Sequence, residues 1–345
     1  MKSVALTALK QMALSDAPAP TIRKDTDVLL DVRSVGVCGS DVHYYLTGRI
    51  GSQVVEYPFR VGHEFSGTVR QTGRKVTRVK PDDLVAVDPA MSCGQCDQCR
   101  AGRRHTCRHL KFLGCPGQAE GCLCESIVMP EECCFPVRPP MTPEQAAVAE
   151  PLSIGVYAVS LSVPMRGARI AILGCGPIGL SVLLAARAQW VGTVYVTDKI
   201  DARLAVARRA GAAWTGNPAT QNVVDAIAAA EPLLLDAVFE CCGEQEAVDQ
   251  AVHLIKPGGK LMMIGIPTVD RISFPIDWLR RKEICIQNVR RQNECMEAAL
   301  DLIAGGKVDV DFMVTHRFGL DQTKDAFDLV ANYRDGVVKA MINME

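Results

Sequence analysis

The stretch RIAILGCGPIGLSVLLAARAQWVGTVYVTD, Arg169–Asp198, decides the fold. It opens on a short apolar run, continues through the GxGxxG spacing of GCGPIG, and then repeats apolar side chains at helical intervals. TVYVTD reads as a second strand closed by Asp198, 19 positions after Gly179. Glycine-rich turns are common. One that follows a strand, opens a helix and is answered by an acid at the end of the next strand is far more specific for a dinucleotide. Gly174 permits the tight turn, Gly176 lets backbone amides approach a pyrophosphate, and Gly179 lets the helix pack on the strand. The helix N-terminus favours the anion. Asp198 is expected to accept hydrogen bonds from the adenosine ribose and to repel a 2′-phosphate, which favours NAD over NADP, with adjacent Lys199 as a counterweight.

The alternation continues outward from this unit. DARLAVARRAG reads as a helix closed by Gly211, LDAVFECCG as a strand, Gln245–Ile255 as a helix, KPGG as a turn and KLMMIGI as a strand. Repeated βα units imply a parallel sheet with helices on both faces. Upstream, to about Ser153, the texture is glycine, proline and short β-prone runs such as DVLLDVRSVGV, FSGTVRQTG and DLVAVDP. The tail from about Glu294 starts with the helical ECMEAALDLIAGG and ends in β-prone VVKAMINM. That tail fits a strand returning to the first domain, which makes the βα unit an insertion. A length of 345 residues supports two domains.

Composition narrows the function. Hydrophobic residues make up 48% and charged residues 22%, and the net charge is -1 with both signs scattered. This argues against a nucleic-acid or membrane surface as the main partner. Ser3, Thr7, Lys10 and Gln11 interrupt the N-terminal stretch, a poor signal peptide, and no apolar run approaches membrane-spanning length. Fifteen cysteines without an export signal point to a reducing cytoplasm, with thiols as metal ligands or small core residues.

CGQCDQCRAGRRHTC places Cys93, Cys96, Cys99 and Cys107 in two overlapping CxxC turns and a returning loop. Four thiolates with no open position suit a structural zinc in a lobe over 90–110, whose few apolar residues leave the metal to supply the folding energy. An iron–sulfur cluster competes with zinc, which the charged residues around the turns favour. His105 and His109 read as bystanders. A second group of reactive side chains lies in VCGSDVHYYLTGRIG, Val37–Gly51, and VGHEFSGTV. Cys38 with His63 and Glu64 offers one soft and two harder ligands and leaves a fourth, exchangeable position. A further carboxylate, Glu150 in AEPLSIGVYA, lies just before the βα domain, where a cleft between domains is expected.

Together CGSDVHYYLTGRIG, GHEFSGTV, EPLSIGVYA, GCGPIG, VTDKIDARL and VTHRF extend over most of the chain. In these motifs it resembles the zinc-dependent medium-chain dehydrogenases, and within them the sorbitol and related polyol dehydrogenases. The resemblance implies an α/β chain in which a Rossmann doubly wound parallel sheet domain, 155–293, is inserted in a mainly β GroES-like catalytic domain, 1–154 and 294–345. It implies a catalytic zinc on Cys38, His63 and Glu64, with Glu150 facing the zinc-bound water or replacing Glu64. Ser40 would begin a proton relay that ends at His43 through the cofactor ribose, and Tyr44 would touch substrate, whereas Tyr45 reads as packing. On the cofactor side the resemblance points to Pro177, Ile178, Asp198, Lys199 and Arg203, to Ile264, Gly265 and Ile266 against the nicotinamide, and to Val289, Arg290 and Arg291. Arg291 would also reach substrate hydroxyls.

The implied activity is oxidation of a secondary hydroxyl of a polyol or sugar acid to the ketone, by a cytoplasmic homo-oligomer, tetramer or dimer, of carbohydrate metabolism. KLMMIGI would border the subunit interface. Three departures from the family pattern stand out. Asp82 and Leu84 replace the glycine and arginine of a surface turn. Arg290 and Gln292 replace two aromatics, which points away from sorbitol toward a more polar substrate such as a sugar acid. The loop LGCPGQAEGCLCE is unlike the polyol enzymes, and its Cys115, Cys122 and Cys124 read as small buried cysteines. An enzyme like L-threonine 3-dehydrogenase is the nearest rival, although EPLSIG and YYLTGRIG favour the polyol group. A catalytically silent NAD-binding sensor is expected to have lost Cys38, His63 or Ser40, and all three are present.

Overall fold

RIAIL becomes the buried strand Arg169–Leu173 of a six-stranded parallel sheet. The order across that sheet is Trp214–Gly216, Thr193–Thr197, Arg169–Leu173, Leu235–Glu240, Ile255–Met263 and Cys285–Asn288. Every pairing is parallel. The strand order reverses between Arg169–Leu173 and Leu235–Glu240, the switch point at which doubly wound sheets bind ligands beyond their strand ends. Helices such as Pro177–Ala188 and Gln245–Leu254 cover the sheet, so its central strands read as continuous apolar runs.

One sequence expectation is corrected here. KPGG is not a turn between elements, because Ile255–Met263 runs through it as one strand. The extra residues are absorbed where the register against Leu235–Glu240 shifts, with Gly258 at φ +75. Cys285–Asn288 pairs alongside that strand and forms the edge of the sheet.

The other sheet has seven strands. Its path is Cys134–Pro136, Leu84–Val87, Glu64–Thr72, Asp27–Gly36, Lys339–Asn343 and Val314–Gly319, with Ser126–Pro130 added on Asp27–Gly36. The C-terminal strand pairs antiparallel with Asp27–Gly36, bringing Met341 opposite Gly36. Leu30, Phe65, Leu123, Met129 and Phe327 are among the fully buried side chains of this core. Each contributes about 1.5–3 kcal/mol by leaving water. Asp82 occupies a left-handed turn at φ +70, a conformation that aspartate tolerates better than most side chains. Cys115, Cys122 and Cys124 are buried, and all fifteen cysteines are free thiols.

The computed structural model describes residues 1–344. By internal contacts it divides into residues 1–150 with the chain from Met296 onward, and Pro151–Cys295. Among the described residues no helix is long and apolar enough to cross a membrane.

Candidate active site

The nucleotide turn is built from glycines that nothing larger could replace. Gly174 has φ +96, and its amide donates to Thr197 O at 2.8 Å. A Cβ on Gly179 would stand 1.9 Å from Gly174 O, so the helix can meet the strand only without a side chain there. Pro177 opens the helix, and no side chain caps its first turn, which leaves the first amides for an anion. Asp198 is fixed at both oxygens, accepting from Cys175 N at 2.7 Å and Ile200 N at 2.8 Å. Lys199 is turned to Glu246, with Nζ 2.9 Å from Oε2. Arg203 is buried in the helix that follows, while Ile178 is half-buried.

Farther along the strand ends, Ile264 and Gly265 donate their amides to Glu240 O at 3.0 and 3.1 Å, and Ile266 is exposed. The Glu240 carboxylate accepts from Cys242 N and Gly243 N at 2.7 and 2.6 Å. Its other oxygen is buried without a partner among the described residues, 2.7 Å from where a Cβ on Gly265 would lie. Val289 donates to Met263 O, Arg290 is exposed, and Arg291 is half-buried at φ +55. Gln292 is buried and its amide oxygen caps Cys295 N at 2.8 Å. Its amide oxygen is thus engaged in a local turn.

In the lobe, the sulfurs of Cys93, Cys96, Cys99 and Cys107 lie within 4.8 Å of one another. Backbone amides of Cys99 and Arg108 pull the Cys96 thiol down to about 6, whereas burial pushes Cys107 up to about 11. Four converging thiols on backbone donors fit a closed tetrahedral zinc. His105 and His109 lie outside the cluster.

The open centre collects its ligands from distant places. Cys38 follows the strand Asp27–Gly36 and precedes the helix Gly39–Thr47, while His63 and Glu64 stand at the start of Glu64–Thr72. One ligand atom from each of the three lies within 4.8 Å of the others, a mixed donor set that suits zinc with a position left open. Buried Asp41 holds His63 in place, with Oδ1 3.3 Å from Nδ1 and 3.3 Å from Gly62 N, which leaves Nε2 for a cation. Burial alone would lower the His63 pKa, but the negative charges of Asp41 and then Cys38 raise it well above the ordinary value. Buried Lys339 donates to Val37 O at 3.2 Å and forms an ion pair with Glu64 Oε2.

Glu150 lies outside the three-residue cluster. Burial, followed by the charge of Glu64, pushes its carboxyl up to about 8. Ser40 Oγ donates to Cys38 Sγ at 3.2 Å, and burial lowers the pKa of half-buried His43. Tyr44 is 4% exposed and its hydroxyl donates to Gln53 Oε1 at 3.2 Å. Tyr45 packs edge-on against Phe327 and donates to Asp328, in keeping with a packing role.

Asp41, Lys339 and Glu240 escaped the sequence reading. Each carried a signal: Asp41 sits in the same short segment as Cys38, and the other two are isolated charges in apolar strands.

Comparison with known proteins places the chain in context. Residues 24–139 match the alcohol dehydrogenase GroES-like domain, and residues 177–305 the zinc-binding dehydrogenase model. A sorbitol dehydrogenase of Bacillus subtilis is 34% identical over 99% of this chain and 97% of its own. An L-idonate 5-dehydrogenase of Vitis vinifera is 32% identical over 92% of this chain and 88% of its own. A structure assigned as a zinc-binding dehydrogenase of Sinorhizobium meliloti, bound to NADP, superposes with a TM-score of 0.90 at 30% identity, covering 99% of this chain and 98% of that one.

Proposed function

The chain belongs to the zinc-containing medium-chain dehydrogenases, and from that premise we propose that it oxidises a secondary hydroxyl of a polyol or sugar acid, with NAD as the hydride acceptor. The observation that carries this reading is the convergence of Cys38, His63 and Glu64 in a chain that also keeps a complete dinucleotide turn ending in Asp198. Bound zinc supplies Lewis acidity, lowering the pKa of a coordinated hydroxyl as it lowers that of water from about 16 to about 7, and bound nicotinamide supplies the hydride acceptor.

The chain's own residues do the rest. Asp41 fixes the His63 ring, and Cys38 and Glu64 supply the negative charge that retains the cation. Ser40 takes the proton of the substrate hydroxyl and passes it toward His43, a half-buried imidazole that can accept it. Glu150, a buried carboxyl near the centre, is a reserve ligand or a partner for substrate hydroxyls. Tyr44 and Arg291 are assigned to substrate hydroxyls. In this reading residues 1–154 and 294–345 form the catalytic domain and 155–293 the cofactor domain.

Asp198 supports NAD over NADP, and the pairing of Lys199 with Glu246 supports it further, because a carboxylate engages the cation adjacent to Asp198. Free thiols throughout support a reducing cytoplasm, and the free strand edge Cys285–Asn288 supports assembly with further copies of this chain. A panel of polyols, aldonates and L-threonine, each with NAD and NADP and followed by reduced-cofactor absorbance, tests the reading. Turnover of a polyol or aldonate with NAD is expected. Turnover of L-threonine alone would favour an enzyme like L-threonine 3-dehydrogenase, and a preference for NADP would overturn the role given to Asp198.

A further inference from the structure

A lysine is almost never fully buried unless it is paired. Lys339 is 1% exposed, on the strand Lys339–Asn343 that the C-terminal segment contributes to the seven-stranded sheet. Its Nζ donates to Val37 O, beside Cys38, and pairs with Glu64 Oε2, the two side chains being 1% and 3% exposed. Gly36 makes the space. A Cβ there would stand 2.5 Å from Glu64 Oε2 and 3.4 Å from Lys339 Cδ. An ammonium paired with Glu64 therefore sits among the donors that a metal would use.

We propose that Lys339 is a positioning residue that holds Glu64 by one oxygen and thereby sets how tightly, and with how complete a ligand set, the Cys38–His63–Glu64 centre holds its metal. The inference rests on the reading of that centre as a zinc site. Two cations share one carboxylate, so the ammonium both repels the metal and withholds part of Glu64 from it. Without the lysine, Glu64 would be an uncompensated buried carboxylate and the metal would become its only counter-charge. Both effects act in the same direction: removing Lys339 makes metal binding tighter. A lysine that merely braced the sheet, or that aimed Glu64 at the metal, would give no change or the opposite sign.

The test needs no substrate. Purified wild type and Lys339→Met are compared for zinc transfer to a competing chelator, and for the visible spectrum after cobalt(II) replaces zinc in the exchangeable centre. Lys339→Met is expected to hold metal about 10- to 100-fold more tightly, equal in size but opposite in sign to the usual loss when a partner behind a metal ligand is removed. Its cobalt bands should shift as Glu64 becomes a full ligand. Unchanged or weaker retention, or an unmoved spectrum, overturns the proposal. Should Lys339→Met fail to fold, Glu64→Gln and the doubly neutral Glu64→Gln/Lys339→Met are compared. The double variant should bind zinc more tightly by a smaller factor, and equal affinities overturn the proposal. A wild-type protein with one zinc per chain, held by the four-cysteine lobe, would sink the zinc-site reading and this inference with it. Two zincs, with retention insensitive to Lys339, would sink this inference alone.

Discussion

Cys93, Cys96, Cys99 and Cys107 lie in one short, largely exposed loop, whereas Cys38, His63, Glu64 and their supporting charges are drawn from both ends of the chain into a buried sheet. The first centre is made of identical donors fixed by their own turns. The second mixes a thiol, an imidazole and a carboxylate, each tied to a further group: Ser40 on Cys38, Asp41 on His63 and Lys339 on Glu64. A metal that only orders a loop needs four equal anchors. A metal that must hold and release a reacting hydroxyl needs an open position and ligands whose charge can be tuned.

The comparison breaks most visibly at the lobe. Cys107→Ser removes a closed-site ligand, and structural zinc typically supplies about 10–16 kcal/mol of apparent binding energy to such loops. The variant is expected to lose one zinc per chain and to unfold well below the wild type in a thermal scan. Cys38→Ser should do the reverse, keeping a near-native melting temperature and the lobe's zinc. Its turnover should fall by roughly 10³-fold or more, because the several kcal/mol of charge stabilisation supplied by the metal are lost. Full turnover in this variant would erase the distinction between the centres.

A smaller effect is expected at the support beneath the ligand. Asp41→Ala should weaken zinc at the exchangeable centre by about 10- to 100-fold and leave the lobe's zinc in place, as read by metal analysis after graded chelation. The smallest effect concerns pH in the metal-free protein. The Glu150 carboxyl, at about 8 in the fold against an ordinary 4.5, keeps a proton that the unfolded chain releases. Stability should therefore fall as pH rises from about 4.5 and level off above about 8. Glu150→Gln should flatten that part of the decline, and an unchanged melting profile between those limits would contradict the assignment.

The same contrast explains what the chain made legible. The lobe and the glycine turn are local: ligand spacing, strand, turn and acid stand within one reading window, so Cys93–Cys107 and Gly174–Asp198 declare their chemistry. Cys38, His63 and Glu64 could be joined only by their donor chemistry and the family pattern, because nothing local links position 38 to position 63. Lys339 was hidden for the opposite reason. A lone lysine in VVKAMINM looks like a solvated strand face until the pairing of Met341 with Gly36 shows how the C-terminal strand reaches the centre. Gln292 carries a local role that the sequence did not suggest, since its amide oxygen caps Cys295 N. The KPGG segment likewise carried every mark of a turn, yet sheet pairing overrode it.

The most direct test of the account is the rate of NADH formation, on whichever polyol or aldonate the protein accepts, as the exchangeable zinc is withdrawn by a chelator and then restored. Turnover should fall in proportion to that one zinc while the four-cysteine zinc stays bound, and it should return when zinc is added back. Turnover that persists after the Cys38 centre has been emptied would contradict the account.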